Sequence, residues 1–114
     1  RWGDTDAYKE SARRTKKYTK QDWQRLQAEA NANLQAFAQA FDAGREPDSA
    51  EAMELAEQAR LHIDRWFYPC SREMHRSLGE MYVADARFTE FYDRIRPGLA
   101  QYVRDAIVAN ASRA

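Results

Sequence analysis

One cysteine, three prolines, four glycines and no net charge are the scarcities that first bound this 114-residue chain. A lone Cys70 cannot close an intrachain disulfide, which sets aside stapled secreted scaffolds and fits a reducing, cytoplasmic setting. Eighteen basic residues against eighteen acidic ones leave no broad field to draw the surface to nucleic acid or to an anionic membrane. No apolar run approaches the roughly 20 residues of a membrane-spanning helix. There is no internal repeat, no low-complexity tract and no Gly- or Pro-rich linker that would divide the chain into separate domains. The chain opens Arg1-Trp2-Gly3-Asp4, with neither initiator methionine nor apolar signal, and is expected to be a piece of a longer protein.

Twenty alanines against ten Val, Ile and Thr residues favour helix strongly, because Ala loses no side-chain entropy there and β-branched residues lose χ1 freedom. The reading is all-α, with five to six short helices. Thr19 with Asp22 three residues on is a capping-box start, and Trp23, Leu26, Ala30, Leu34, Phe37 and Phe41 then form an apolar stripe that ends at Gly44. Ser49 caps a helix whose inner face runs Ala52, Leu55, Ala56, Ala59, Ile63, Trp66 and Phe67, broken at Tyr68-Pro69. A short helix from Cys70 or Ser71 carries Met74, Leu78, Met81 and Tyr82 on one side. Asp85 starts the next, with Phe88, Phe91, Tyr92 and Ile95, and Arg96-Pro97-Gly98 hands over to a last one with Leu99, Val103, Ala106 and Ile107 inward. Residues 1–18 have a weak apolar face and are expected to be mobile until a ligand or partner orders them, leaving 19–114 as the folded body.

Cys70 follows a proline and precedes a helix, so the positive end of that helix is expected to favour its thiolate; the alternative is a small buried hydrophobe, which a free cysteine most often is. Trp66, Phe67 and Tyr68 stand 100° apart on a helix, so at least one must leave the core, to line a cleft beside the cysteine, to pack beneath the N-terminal segment or to lie partly exposed. His62, four residues before Trp66, shares its face. The two histidines, the cysteine and the scattered carboxylates have no metal-ligand spacing, so no metal or other cofactor is expected. Short helices crossing at large angles suggest a haem globin, but the chain is short for one and pairs no proximal with a distal ligand. Nucleophilic catalysis needs a base, an orienting group and an oxyanion site beside the thiol; only the thiol is suggested, so the chain is not expected to be an enzyme.

The stretch Ile63-Asp64-Arg65-Trp66-Phe67-Tyr68-Pro69-Cys70-Ser71-Arg72-Glu73-Met74-His75-Arg76-Ser77-Leu78-Gly79-Glu80-Met81-Tyr82-Val83-Ala84-Asp85-Ala86-Arg87-Phe88 resembles the TipA-type antibiotic-recognition domain. The opening Arg1 to Tyr8 and the later Tyr92-Asp93-Arg94-Ile95 and Pro97-Gly98-Leu99-Ala100 carry the likeness across nearly the whole chain.

The resemblance implies a globin-like fold without haem and the effector role of a MerR-family transcription activator, binding thiopeptide antibiotics of the thiostrepton class. DNA would be held by an N-terminal domain absent from this chain, and RNA polymerase reached only indirectly. Cys70 matches a family cysteine that captures the drug covalently, by conjugate addition of thiolate to a dehydroalanine. An apolar cleft is expected near Trp66, Phe67, Met74, His75 and His62, with Trp2 and Tyr8 on a lid that folds over it. Other readings are an effector domain for another antibiotic, of the albicidin kind, without covalent capture, and a structural dimerisation module.

Overall fold

The computed structural model describes residues 4–113, with side chains from Asp6 onward, so Trp2 lies outside the described residues. Six helices follow one another: α1 (Asp4–Thr15), α2 (Lys20–Asp42), α3 (Ala50–Trp66), α4 (Arg72–Ala84), α5 (Ala86–Asp93) and α6 (Leu99–Ser112). No strand occurs among the described residues, as the alanine-rich composition requires. Local chemistry sets the starts. Thr19 and Asp22 close a reciprocal capping box, while the Ser49, Ser71 and Asp85 side chains accept from amides of the first turn of α3, α4 and α5. Gly44 and Gly98 take left-handed conformations, φ 74° and 90°, where an L side chain is disfavoured, and so turn the chain out of α2 and into α6.

The most deeply buried helix is α6, which packs on α2, α3, α4 and α5 through Leu99, Ala100, Tyr102, Val103, Ala106 and Ile107. Phe37 of α2 and Ala52 and Ala56 of α3 complete that core. The approach of α4 to α6 is tight because Gly79 sits at the crossing; a Cβ there would stand 3.3 Å from Ile107 Cγ2.

Two faces differ from expectation. On α4 the buried positions are His75 and Gly79, not Met74, Leu78 and Met81, a rotation of one residue. The close approach at Gly79 decides it, because the larger stripe cannot enter so narrow a crossing. On α2, Trp23 is left exposed, its ring edge-to-face with Tyr18 rather than in the core.

The N-terminal segment is helical from Asp4 to Thr15, with α3 as its main packing partner. Ala7 is buried, and Arg14 donates through Nη1 to the Asp64 carbonyl at 2.7 Å, satisfying the C-terminal end of α3. Tyr18 hydrogen-bonds the Trp66 carbonyl through its hydroxyl and meets the Trp66 ring edge-to-face at 5.4 Å. No helix is long and apolar enough to cross a membrane.

Candidate functional site

The faces of five helices leave a hollow between them. α2 contributes Gln27, Ala30, Asn31, Asn33, Leu34 and Phe37; α3 contributes Ala59, His62 and Ile63; α4 gives His75 and Tyr82; α5 gives Phe91 and Tyr92; α6 gives Val103 and Ile107. The cavity has a volume of about 220 Å³ and no charged side chain among its described lining residues. A second, shallower hollow of about 440 Å³ shares Tyr82, Phe91 and Tyr92 and adds Phe88 and Arg87. The two therefore share an aromatic wall. Tyr82 and Tyr92 lie 5.3 Å apart between ring centroids, and Phe91 meets Tyr92 nearly at right angles at 5.2 Å.

Electrostatics keep this region neutral. Burial raises the Tyr92 phenol to about 12 and pushes Tyr82 upward as well, so both remain protonated. His75, only 1% exposed, is driven down to about 4 by desolvation and then by the nearby Arg60 charge, so its imidazole is uncharged at neutral pH. The rim is made of amides, Gln27 donating to Asn31 at 3.2 Å and Asn33 to the Leu55 carbonyl at 3.0 Å. His62 Nε2 stands 3.0 Å from the Leu26 carbonyl and 3.8 Å from Glu29 Oε1.

Of the residues singled out in the sequence, the structure brings His62 and His75 into the cavity wall and leaves the others outside it. Trp66 is buried, but beneath the α1–α2 junction, its Nε1 donating to Glu29 Oε1 at 2.7 Å and Arg65 stacked over its ring at 5.3 Å. Phe67 is half-buried against His62 and Met74 is half-buried on the outer side of α4. Tyr8 projects from α1 at 76% exposure and is not among the lining residues of this cavity. Phe91 and Tyr92 were missed as wall residues. The signal was present: two consecutive aromatics on an eight-residue helix cannot both face one core, the argument applied to Trp66-Phe67-Tyr68.

At Cys70 the geometry is that of the buried alternative. The N-cap of α4 is Ser71, one residue later, and the Cys70 side chain turns inward to 1% exposure, its thiol 3.7 Å from the Ser71 carbonyl. Burial pushes the thiol up to about 11; Arg60 pulls it down and Asp64 pushes it further up, with burial dominating. Its backbone is clamped from both sides, the amide donating to Asp64 Oδ1 at 2.8 Å and the carbonyl accepting from Arg60 Nη1 at 2.7 Å. Arg60 is itself paired with Glu57, which also accepts from Asn110 at 2.9 Å and Arg72 at 3.3 Å. These donors, Arg60 first, hold the Glu57 carboxyl at about 2 against the cost of burial.

Comparison with known proteins places this geometry. The family model of the TipAS antibiotic-recognition domain matches residues 1–110. The HTH-type transcriptional activator TipA of Streptomyces coelicolor is 54% identical over 113 residues, 99% of this chain and 45% of that protein. The HTH-type transcriptional activator mta of Bacillus subtilis is 34% identical over 99 residues, 87% of this chain and 38% of the relative. The chain thus spans less than half the length of these curated relatives. Among solved structures, TipAS of Streptomyces lividans in complex with nosiheptide superposes with a TM-score of 0.87 at 54% identity, covering 96% of this chain and 77% of that one. The antibiotic-binding domain of a TipA-class multidrug resistance transcriptional regulator superposes at 0.71 with 53% identity, covering 78% of this chain and 95% of that one.

Proposed function

The chain belongs to the TipAS antibiotic-recognition domain family, and on that premise we propose that it binds thiopeptide antibiotics in the aromatic cleft, as the effector region of a cytoplasmic transcription activator. The observation that carries this reading is the uncharged wall of Tyr82, Phe91 and Tyr92, shared by two adjoining hollows. Thiazole-rich macrocycles are uncharged over most of their surface and need broad aromatic contact. The inner cavity, at about 220 Å³, lies below the roughly 300 Å³ of a typical drug-sized pocket. It therefore accepts only an edge of such a ligand, the remainder lying over the outer hollow and the half-exposed Phe91. DNA binding belongs to another region of the parent regulator, RNA polymerase is engaged only through that region, and the domain senses or sequesters the drug without turnover.

Two finer steps belong to this proposal. Ligand binding draws α1 over the cleft as a lid, for which the support is its limited packing on α3 and the exposed Tyr8. Capture by Cys70 follows, its sulfur adding across a dehydroalanine C=C bond while the thiol proton passes to the adjacent carbon. That step requires the Cys70 turn to open, because a buried thiol held at about 11 is a poor nucleophile. The burial of Cys70 favours a second reading, reversible binding of this or another antibiotic without an adduct.

Titration with nosiheptide followed by intact mass measurement separates these readings. Saturable binding with one antibiotic mass added, absent in Cys70→Ala, supports sensing with capture. Binding without added mass supports the reversible reading. No binding by the unaltered chain refutes both for this antibiotic class.

A further inference from the structure

Among the described residues four buried side-chain atoms have no hydrogen-bond partner: His75 Nδ1 on α4, the Tyr102 hydroxyl and Asn110 Oδ1 on α6, and Arg113 Nε at its end, and of these only His75 belongs to a residue of the cleft lining. Their situations differ. Asn110 is tied through its amide group to Glu57 at 2.9 Å and is not part of the cleft lining. His75 does form part of the wall, among Phe37, Tyr92, Val103 and Ile107, with Nδ1 itself closed to solvent, so a ligand reaches it only by displacing neighbouring wall side chains or turning the ring. The nearby charges are engaged elsewhere, Glu57 by Arg60, Arg72 and Asn110, and Arg60 by Glu57 and the Cys70 carbonyl. An unmade hydrogen bond at a buried atom is costly, and a leucine in that position would avoid the cost altogether. Orphan polar atoms of this kind are uncommon in native interiors and call for a cause.

We propose that His75 is the polar anchor of the cleft, a specificity-determining residue whose free ring nitrogen forms a hydrogen bond with an uncharged azole or amide group at the leading edge of the bound antibiotic. The inference rests on the functional reading above and names the atom that selects within it. An apolar wall attracts any greasy surface; among the polar groups of this lining, His75 Nδ1 is the buried one left unpaired, and it rewards a ligand that presents a matching group there. A charged group is disfavoured, since the surrounding side chains offer no counter-ion to offset its desolvation.

The test uses the whole chain, labelled with nitrogen-15, and nosiheptide as the probe. The imidazole nitrogen shifts of His75 are followed through a titration, and the affinities of the unaltered chain and His75→Leu are compared alongside their unfolding midpoints. The expected result is a displaced Nδ1 resonance on binding, with His75→Leu at least as stable as the parent but about tenfold weaker in binding. Equal affinity of His75→Leu overturns the anchor. So does an Nδ1 resonance that ignores the antibiotic and responds instead to Asn110→Ser, which would make Asn110 its partner. The nitrogen shift is read on the unaltered chain and so decides the matter even where the leucine variant unfolds. If the unaltered chain fails to bind nosiheptide, the functional reading itself falls and takes the anchor with it.

Discussion

At the cleft, rings and two histidines surround a hollow with a buried nitrogen of one of them left unpaired; at the Cys70 turn, the amide, the carbonyl and the supporting carboxylates are all hydrogen-bonded. The two regions share α3 and α4 and differ in what they are ready to do. An apolar wall with an unsatisfied polar atom gains by receiving a partner. A turn whose amide and carbonyl are both clamped, with its nucleophile inside, must first lose bonds before it can react. The first region is arranged to receive a ligand, and the second would have to open before its thiol could react.

Acid provides the largest way to separate the regions. His75 has a folded pKa of about 4 against an ordinary 6.5, so the unfolded chain takes up its proton first. Its contribution is fully present above pH 6.5 and is lost as pH falls from there towards 4, on the order of 3 kcal/mol. Glu57, depressed from 4.5 to about 2, contributes above its ordinary value and is lost only in the lower window, from 4.5 down to about 2. Denaturant unfolding at several pH values therefore shows a cleft-linked loss first. His75→Leu should flatten the curve between pH 6.5 and 4 and leave the lower limb in place. An unchanged upper limb would mean that His75 is not the group responsible.

Removing the carboxylate that organises the Cys70 turn is the next largest change. Glu57→Ala leaves Arg60 and Asn110 without their shared acceptor, and a partly buried network of this kind costs about 2–3 kcal/mol, below the 3–5 of a fully buried ion pair. The freed Arg60 holds the Cys70 carbonyl less firmly, so alkylation of the thiol by iodoacetamide should quicken severalfold under native conditions. Reversible antibiotic affinity should stay within about twofold, because Glu57 does not line the cleft. A variant that loses affinity and gains no thiol reactivity would join the two regions into one.

How much of this was legible in the residues depends on the range of the interaction involved. Thr19, Ser49 and Asp85 announce their helices because a cap is settled within four residues. The face of α4 was misplaced by one position, since Gly79 against Ile107 is a contact between helices that no spacing within α4 reveals. Cys70 was read from the helix following it, whereas its environment is set by Arg60 and Asp64 from the preceding helix. Phe91 and Tyr92 were read only as apolar residues of their helix, because periodicity does not distinguish a core face from a cavity wall; the half-exposed Phe91 and the partly buried Tyr92 both line the hollow.

The smallest effect concerns the tether between α1 and the body. Arg14 carries it, donating to the Asp64 carbonyl while its Nε holds Glu10 Oε2 at 2.6 Å. Asp64 lies at the meeting point, its carbonyl facing Arg14 and its carboxylate holding the Cys70 amide. Arg14→Ala should lower global stability by no more than about 1 kcal/mol, the usual range for one partly exposed hydrogen bond at a helix end. Hydrogen exchange should nevertheless quicken across the amides of α1 and remain unchanged in α6, because local opening of a lightly packed helix does not require the core to open. If α6 loses protection as well, α1 is part of the cooperative core and cannot serve as a lid. If α1 alone opens and antibiotic binding restores its protection, the helix that closes the site is the one least committed to the fold.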